Sequence, residues 1–107
     1  MTYGRFMRLI LFFDLPTKTK NDLKNYRYFI KNLKKIGFYR LQESVFVKLS
    51  IDSQNMSSTI NKIMNLKLSD GDIRILTVTE KQFSSMTQVI GENKSDVLST
   101  TDRVVEI

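Results

Sequence analysis

Met7-Arg8-Leu9-Ile10-Leu11-Phe12-Phe13-Asp14-Leu15-Pro16-Thr17 is the stretch that decides the fold. Its first seven residues form a near-continuous apolar run rather than an alternating one, which predicts a strand buried on both faces. Pro16 disfavours helix at the residue before it and ends the strand. Thr17 or Asn21 can then cap a helix running to about Ile36, where Gly37 supplies the stop. Within that helix Leu23, Tyr26, Phe29, Ile30, Leu33 and Ile36 share one face, while Lys20, Lys24, Arg27, Lys31, Lys34 and Lys35 line another. At about 100° per residue the two stripes are centred roughly 130° apart, so the basic one stays in solvent while the apolar one docks.

Downstream, Phe38 to Leu41 and Ser44 to Leu49 read as short strands joined at a Gln42-Glu43 corner. A second helix is expected from about Ser53 to Leu66, with Met56, Ile60, Ile63 and Met64 at helical spacing as its core-facing set. Ser69-Asp70-Gly71-Asp72 is a turn, Ile73 to Val78 a strand, Glu80 to Ser85 a helical turn, and Met86 to Ile90 a further short strand ending at Gly91. The order β-α-β-β-α-β specifies an α+β, ferredoxin-like domain over residues 1–91, with an antiparallel sheet and both helices on one side. Residues 92–107 read as an extension: a polar connection, then a last extended piece from Arg103 to Ile107.

Two helices cover only one face of such a sheet, yet the first strand is apolar on both. Stacking the sheets of two identical chains about a two-fold axis covers the other face, and the tail strands can cross to the partner's edge. Patterning alone therefore predicts a homodimer.

The chain has 107 residues, 41% hydrophobic and 26% charged, with no Cys and no His. That suits one compact domain, and it removes thiol nucleophiles, Ser-His-Asp triads, ordinary zinc sites and disulfides. Any catalysis rests on carboxylates, hydroxyls, lysines or a hard metal. The apolar run Leu9 to Phe13 ends in Asp14 with no small-residue cleavage pattern after it, so a cytoplasmic protein with no membrane segment is expected. Residues 1–50 carry eleven Lys/Arg against three Asp/Glu, whereas residues 51–107 carry six against eight. Such asymmetry points to a basic surface built by the first half and to a polyanion, with nucleic acid the leading candidate.

Asp14 is the foremost candidate for chemistry. It closes a buried strand beside the basic helix, where a carboxylate is costly unless it is paired or bound to a metal. In a dimer, two copies near the axis could share one Mg2+ through oxygens, suited to phosphodiester hydrolysis. The competing reading is a carboxylate that caps its own loop. The basic stripe could be a plain solvated face, but Asp22 is the only acid between Lys18 and Lys35. Uncompensated repulsion along the helix favours phosphate binding, and Arg40 and Lys48 are further surface candidates. Tyr26, Tyr28, Phe38, Tyr39 and Phe46 could stack on bases, although their spacing assigns most of them to the core. Ser44 has no base near it in sequence, and a turn or strand role is expected for it.

The run from Met7 to Thr17, Lys35-Ile36-Gly37-Phe38 and Gln42-Glu43-Ser44-Val45-Phe46 closely resemble the smaller of the two universal CRISPR adaptation proteins, a family described as CRISPR-associated endoribonucleases. The resemblance continues through Leu76-Thr77-Val78-Thr79-Glu80-Lys81-Gln82-Phe83 and Gly91 to Asp102-Arg103-Val104-Val105, and these later stretches resemble the type II-A variant. It implies a ferredoxin-like homodimer that bridges integrase dimers during spacer acquisition in antiviral defence. It further implies that Asp14 is the Mg2+-binding aspartate and that basic faces hold the captured double-stranded DNA, the protospacer. The matching nucleic-acid-binding positions are Lys24, Arg27 and Lys31 on the helix, with Arg40 just before the Gln-x-Ser-Val-Phe motif; Lys20 and Lys34 extend the same stripe.

Three functions follow for comparison. The first is a dimeric DNA-binding scaffold retaining a metal-dependent nuclease site at Asp14. The second is a free-standing endoribonuclease acting on single-stranded RNA. The third, an RNA-recognition-type module, is disfavoured because Ser44 to Leu49 lacks the Gly-aromatic pattern that presents stacking residues on a sheet. The sheet edge and residues 92–107 are the expected docking surface for the integrase subunit.

Overall fold

The structure, a computed structural model, describes residues 6–91. Its elements are β1 (Met7–Asp14), α1 (Lys20–Ile36), β2 (Tyr39–Gln42), β3 (Val45–Ser50), α2 (Ser53–Met64), β4 (Asp72–Thr79) and α3 (Glu80–Ser84). The sheet is antiparallel in the order β2-β3-β1-β4, which is the ferredoxin-like arrangement that the element order predicts. β1 lies between β3 and β4, with Leu11 opposite Phe46 on one side and Ile75 on the other.

One face of the sheet is dry. Leu9, Leu11 and Phe13 from β1 and Phe46 from β3 meet Phe29 and Leu33 of α1 and Ile63 of α2. Phe29 and Leu33 are fully buried, and each such side chain contributes about 1.5–3 kcal/mol relative to exposure. Phe13 binds this layer together, edge-on to Tyr26 at 5.9 Å and to Phe29 at 5.3 Å between ring centroids.

The ends of α1 are set by local chemistry. Thr19, not Thr17 or Asn21, is the N-cap: its hydroxyl accepts from the Asp22 N–H, and the Asp22 carboxylate accepts from the Thr19 and Lys18 N–H groups. The spacing Thr-x-x-Asp decides this, because only that pair closes a reciprocal capping box. Gly37 ends the helix at φ 117°, its N–H donating to the Leu33 and Lys34 carbonyls.

Several other expectations are corrected. In the single chain β1 is covered in full only on the helix side: on its other face Ile10 is buried but Phe12 is 41% exposed. Met64 is 74% exposed and no part of the core, since the buried face of α2 is set by Thr59 and Ile63 and Met64 lies about 100° round the helix from Ile63. Met86 to Ile90 form no strand; within that segment Val89 and Ile90 are almost fully exposed. The predicted piece from Arg103 to Ile107 lies outside the described residues.

The open face carries its own latch. Arg8 donates to both Glu80 carboxylate oxygens at 2.7 and 2.9 Å and to the Tyr39 hydroxyl at 3.1 Å, and its guanidinium lies 4.6 Å from the Phe83 ring centroid. α3 is thereby tied to the sheet's uncovered side. The bidentate hydrogen bonding holds the Glu80 carboxyl below its ordinary pKa and raises that of Arg8.

Candidate functional site

α1 is the platform for the cations. Docking Phe29 and Leu33 inward fixes the helix's rotation, so Lys20, Lys24, Arg27, Lys31, Lys34 and Lys35 are all exposed, as predicted. Asp22, the one acid among them, is engaged in the cap. Among the described residues, the salt bridges are Arg8–Glu80 and Arg74–Asp72, and neither involves the stripe. Among the described residues the stripe's charge is therefore uncompensated.

Arg40 joins the stripe from another element. On β2 it stands opposite Phe46 and so shares the helix-facing side of the sheet. Its guanidinium lies 5.0 Å from the Phe46 ring centroid and 3.4 Å from the Tyr26 hydroxyl. Between α1 and β2 this leaves a groove of about 400 Å3 lined by Tyr26, Arg27, Ile30, Lys31, Lys34 and Arg40. Lys20 and Lys24 continue the stripe beyond the groove rather than lining it. Lys48 is not a free surface cation: it is half-buried, with Nζ 3.3 Å from the Leu49 carbonyl and 3.4 Å from Asn55 Oδ1.

Asp14 is exposed, so burial is not what makes it noteworthy. By strand alternation it shares the open face with Ile10 and Phe12, away from α1, which corrects the expectation that it sits beside the basic helix. Its neighbours are set by the turn before β4. Gly71 has φ 108°, and a Cβ there would stand 2.8 Å from the Asp14 carbonyl oxygen, so only glycine lets the two chain segments approach this closely. The register then puts Asp72 directly opposite Asp14. Directly opposed carboxylates repel. Here Arg74 holds the Asp72 carboxylate at 2.8 and 3.0 Å and keeps its pKa below the usual range.

A family model described as CRISPR associated protein Cas2 matches residues 7–86. The chain belongs to that family. It is 43% identical over 99 residues to the CRISPR-associated endoribonuclease Cas2 of Treponema denticola, covering 92% of this chain and 98% of the relative. It is 37% identical over 101 residues to the protein of the same name from Lacticaseibacillus rhamnosus, covering 94% of this chain and all of the relative. A solved structure titled "Crystal structure of cas2" aligns with a TM-score of 0.59 at 22% identity, over 84% of this chain and 92% of that one, and so supports the fold.

A hard metal on this surface would need oxygen ligands. Among the described residues there is no group of three or more acidic side chains placed to hold one. Asp14 offers the hard oxygen that Mg2+ prefers, but the carboxylate opposite it is engaged by Arg74. Asp14 is therefore the carboxylate of this pair left available to a cation. No helix of the described residues is long and apolar enough to cross a membrane.

Sequence reasoning missed three features of this surface: the α1–β2 groove, the Asp72–Arg74 pair and the Arg8 latch. The groove and the latch depend on which distant segments come together, for which a single sequence holds no direct signal, whereas Asp72 and Arg74 are two apart on β4 and share a face by simple alternation. Of the five aromatics that could have stacked on bases, Phe38 and Phe46 are buried, Tyr28 and Tyr39 are exposed, and Tyr26 is half-buried along the groove. Ser44 is exposed beside the β2–β3 turn, where its carbonyl accepts from the Phe13 N–H at 3.1 Å.

Proposed function

We propose that this Cas2-family protein acts in CRISPR adaptation as a homodimeric scaffold that holds double-stranded protospacer DNA and bridges integrase subunits, and that it keeps a Mg2+-dependent endonuclease site at Asp14. The observation that carries the reading is the segregation of the two features: an uncompensated cationic stripe on the helix layer, and Asp14 on the open face. Binding and cleavage are thus separable in one chain.

The dimer follows from the open face. Tyr39, Val47, Ile10 and Leu76 stand side by side across the four strands, with Phe12 one step away. Val47 and Ile10 at the middle of this row are already buried in the single chain, whereas Tyr39, Phe12 and Leu76 around them are 46%, 41% and 52% exposed. An apolar sheet face of this extent seeks a cover. A second copy supplies one of matching shape by two-fold symmetry and also brings the second Asp14 that the metal site lacks. Bound there, Mg2+ would neutralise charge on a phosphodiester and make an attacking water more acidic. The Asp14 carboxylates would hold it, and the Asp72–Arg74 pair would keep a second repelling charge from their side. Residues 92–107 and the edge of β4, an outer strand among the described residues, are the proposed contact for the integrase subunit.

The test is spacer insertion with purified integrase, with and without this chain. Insertion is expected to require the chain and to be accompanied by its co-purification with the integrase. Equal insertion in its absence would overturn the scaffold role and leave the alternative, a free-standing metal-dependent endoribonuclease.

A further inference from the structure

We infer that the groove between α1 and β2 is a seat for one unpaired nucleotide, with phosphate and base both engaged, and not merely part of a flat rail for duplex backbone. The inference rests on the nucleic-acid-binding reading above and narrows it. A rail needs only charges in a row, and Lys20, Lys24, Arg27 and Lys31 already provide that at helical spacing. The groove has three further properties.

It is a shallow, open groove of about 400 Å3, with room for a single nucleotide and not an enclosed pocket. Its wall is mixed, with the Tyr26 ring and Ile30 apolar between the cations Arg27, Lys31, Lys34 and Arg40. Its key cation is pre-positioned: Arg40 is braced by the Phe46 ring at 5.0 Å and approaches the Tyr26 hydroxyl at 3.4 Å, so less ordering is left to occur on binding. A phosphate alone has no use for the apolar wall, whereas a base stacks readily on a tyrosine ring or a guanidinium plane. No acidic side chain lines the groove to oppose the phosphate. A paired base inside a duplex presents no face to such a pocket, so the occupant is a nucleotide at a frayed end, an overhang or a single strand.

The experiment uses the full-length protein and two readouts. The Ile30 δ-methyl resonance is followed while adenosine monophosphate, a short oligothymidylate, a blunt duplex or inorganic phosphate is added. Ring-current shifts are expected with the first two and not with the last two. In parallel, affinities for the oligothymidylate and the duplex are compared in Arg40→Ala, in Arg40→Lys and in the Lys20→Ala/Lys24→Ala double variant. Arg40→Lys, which keeps the charge that a duplex backbone needs, is expected to weaken single-strand binding about tenfold and duplex binding much less, whereas Arg40→Ala should weaken both. Arg40→Lys guards against misfolding because it keeps the charge and loses only the plane. The double variant is expected to weaken both ligands alike. Equal losses for the two ligands in Arg40→Lys, or an Ile30 shift with inorganic phosphate as large as with the nucleotide, would overturn the nucleotide seat while leaving nucleic-acid binding intact. Failure of the unsubstituted protein to bind either polymer would instead overturn the underlying reading. A shift with free adenosine monophosphate but none with the oligothymidylate would also overturn it, by identifying a free-nucleotide site.

Discussion

Asp14→Ala is expected to abolish divalent-metal-dependent RNA cleavage, with a loss of at least about a thousandfold, equivalent to about 4 kcal/mol of transition-state stabilisation. Spacer insertion should persist. Because Asp14 is exposed and stands opposite another carboxylate, its removal costs little stability; exposed substitutions of this kind are usually within about 0.5 kcal/mol. A loss of activity in this variant therefore reports on chemistry rather than folding. Cleavage time courses at saturating Mg2+, paired with insertion assays on the same preparation, check both halves. Retained cleavage would remove Asp14 from the nuclease site. Lost insertion, with dimerisation and DNA binding unchanged, would favour the enzyme over the scaffold.

The second large effect is expected from charge reversal at Lys24, Arg27 and Lys31. These cations sit on one exposed ridge of α1 with no intrachain partner among the described acids. Replacing all three by glutamate should weaken duplex binding by about a hundredfold or more at low salt. It should also flatten the dependence of log affinity on log salt by about two to three, since each lost phosphate contact removes close to one unit of slope. The helix itself should survive. Its rotation is set by Phe29 and Leu33 and its start by the Thr19–Asp22 box, none of which is altered. Titrations at several salt concentrations measure both quantities, and an unchanged slope would place the phosphate contacts elsewhere.

The parts of this surface that could be read from sequence are those governed by periodicity. The Met7–Phe13 run and the two stripes of α1 are legible because 3.6-residue and two-residue repeats are local properties. So is the charge imbalance between the halves. What escaped is governed by pairing between distant segments. Asp72 comes opposite Asp14 only because β4 pairs with β1 in one register. Arg40 reaches Tyr26 only because β2 turns it toward the helix layer. Met64 looked like core because it keeps helical spacing with Ile60, but the buried face of α2 is set by Thr59 and Ile63, and Met64 lies about 100° round the helix from Ile63. Asp14 looked buried because its strand is. It lies at the strand's last position, on the face that a single chain leaves open.

That open face is also where the account is most directly exposed. Twin cationic flanks, a shared carboxylate site and a bridge between integrase subunits all require two chains packed sheet to sheet. Sedimentation equilibrium of the purified protein at micromolar concentration measures this. The account predicts a species of twice the 12.5 kDa chain mass, converted to monomer by Leu76→Asp. A monomer at every concentration, or a dimer indifferent to a charge at Leu76, would contradict it.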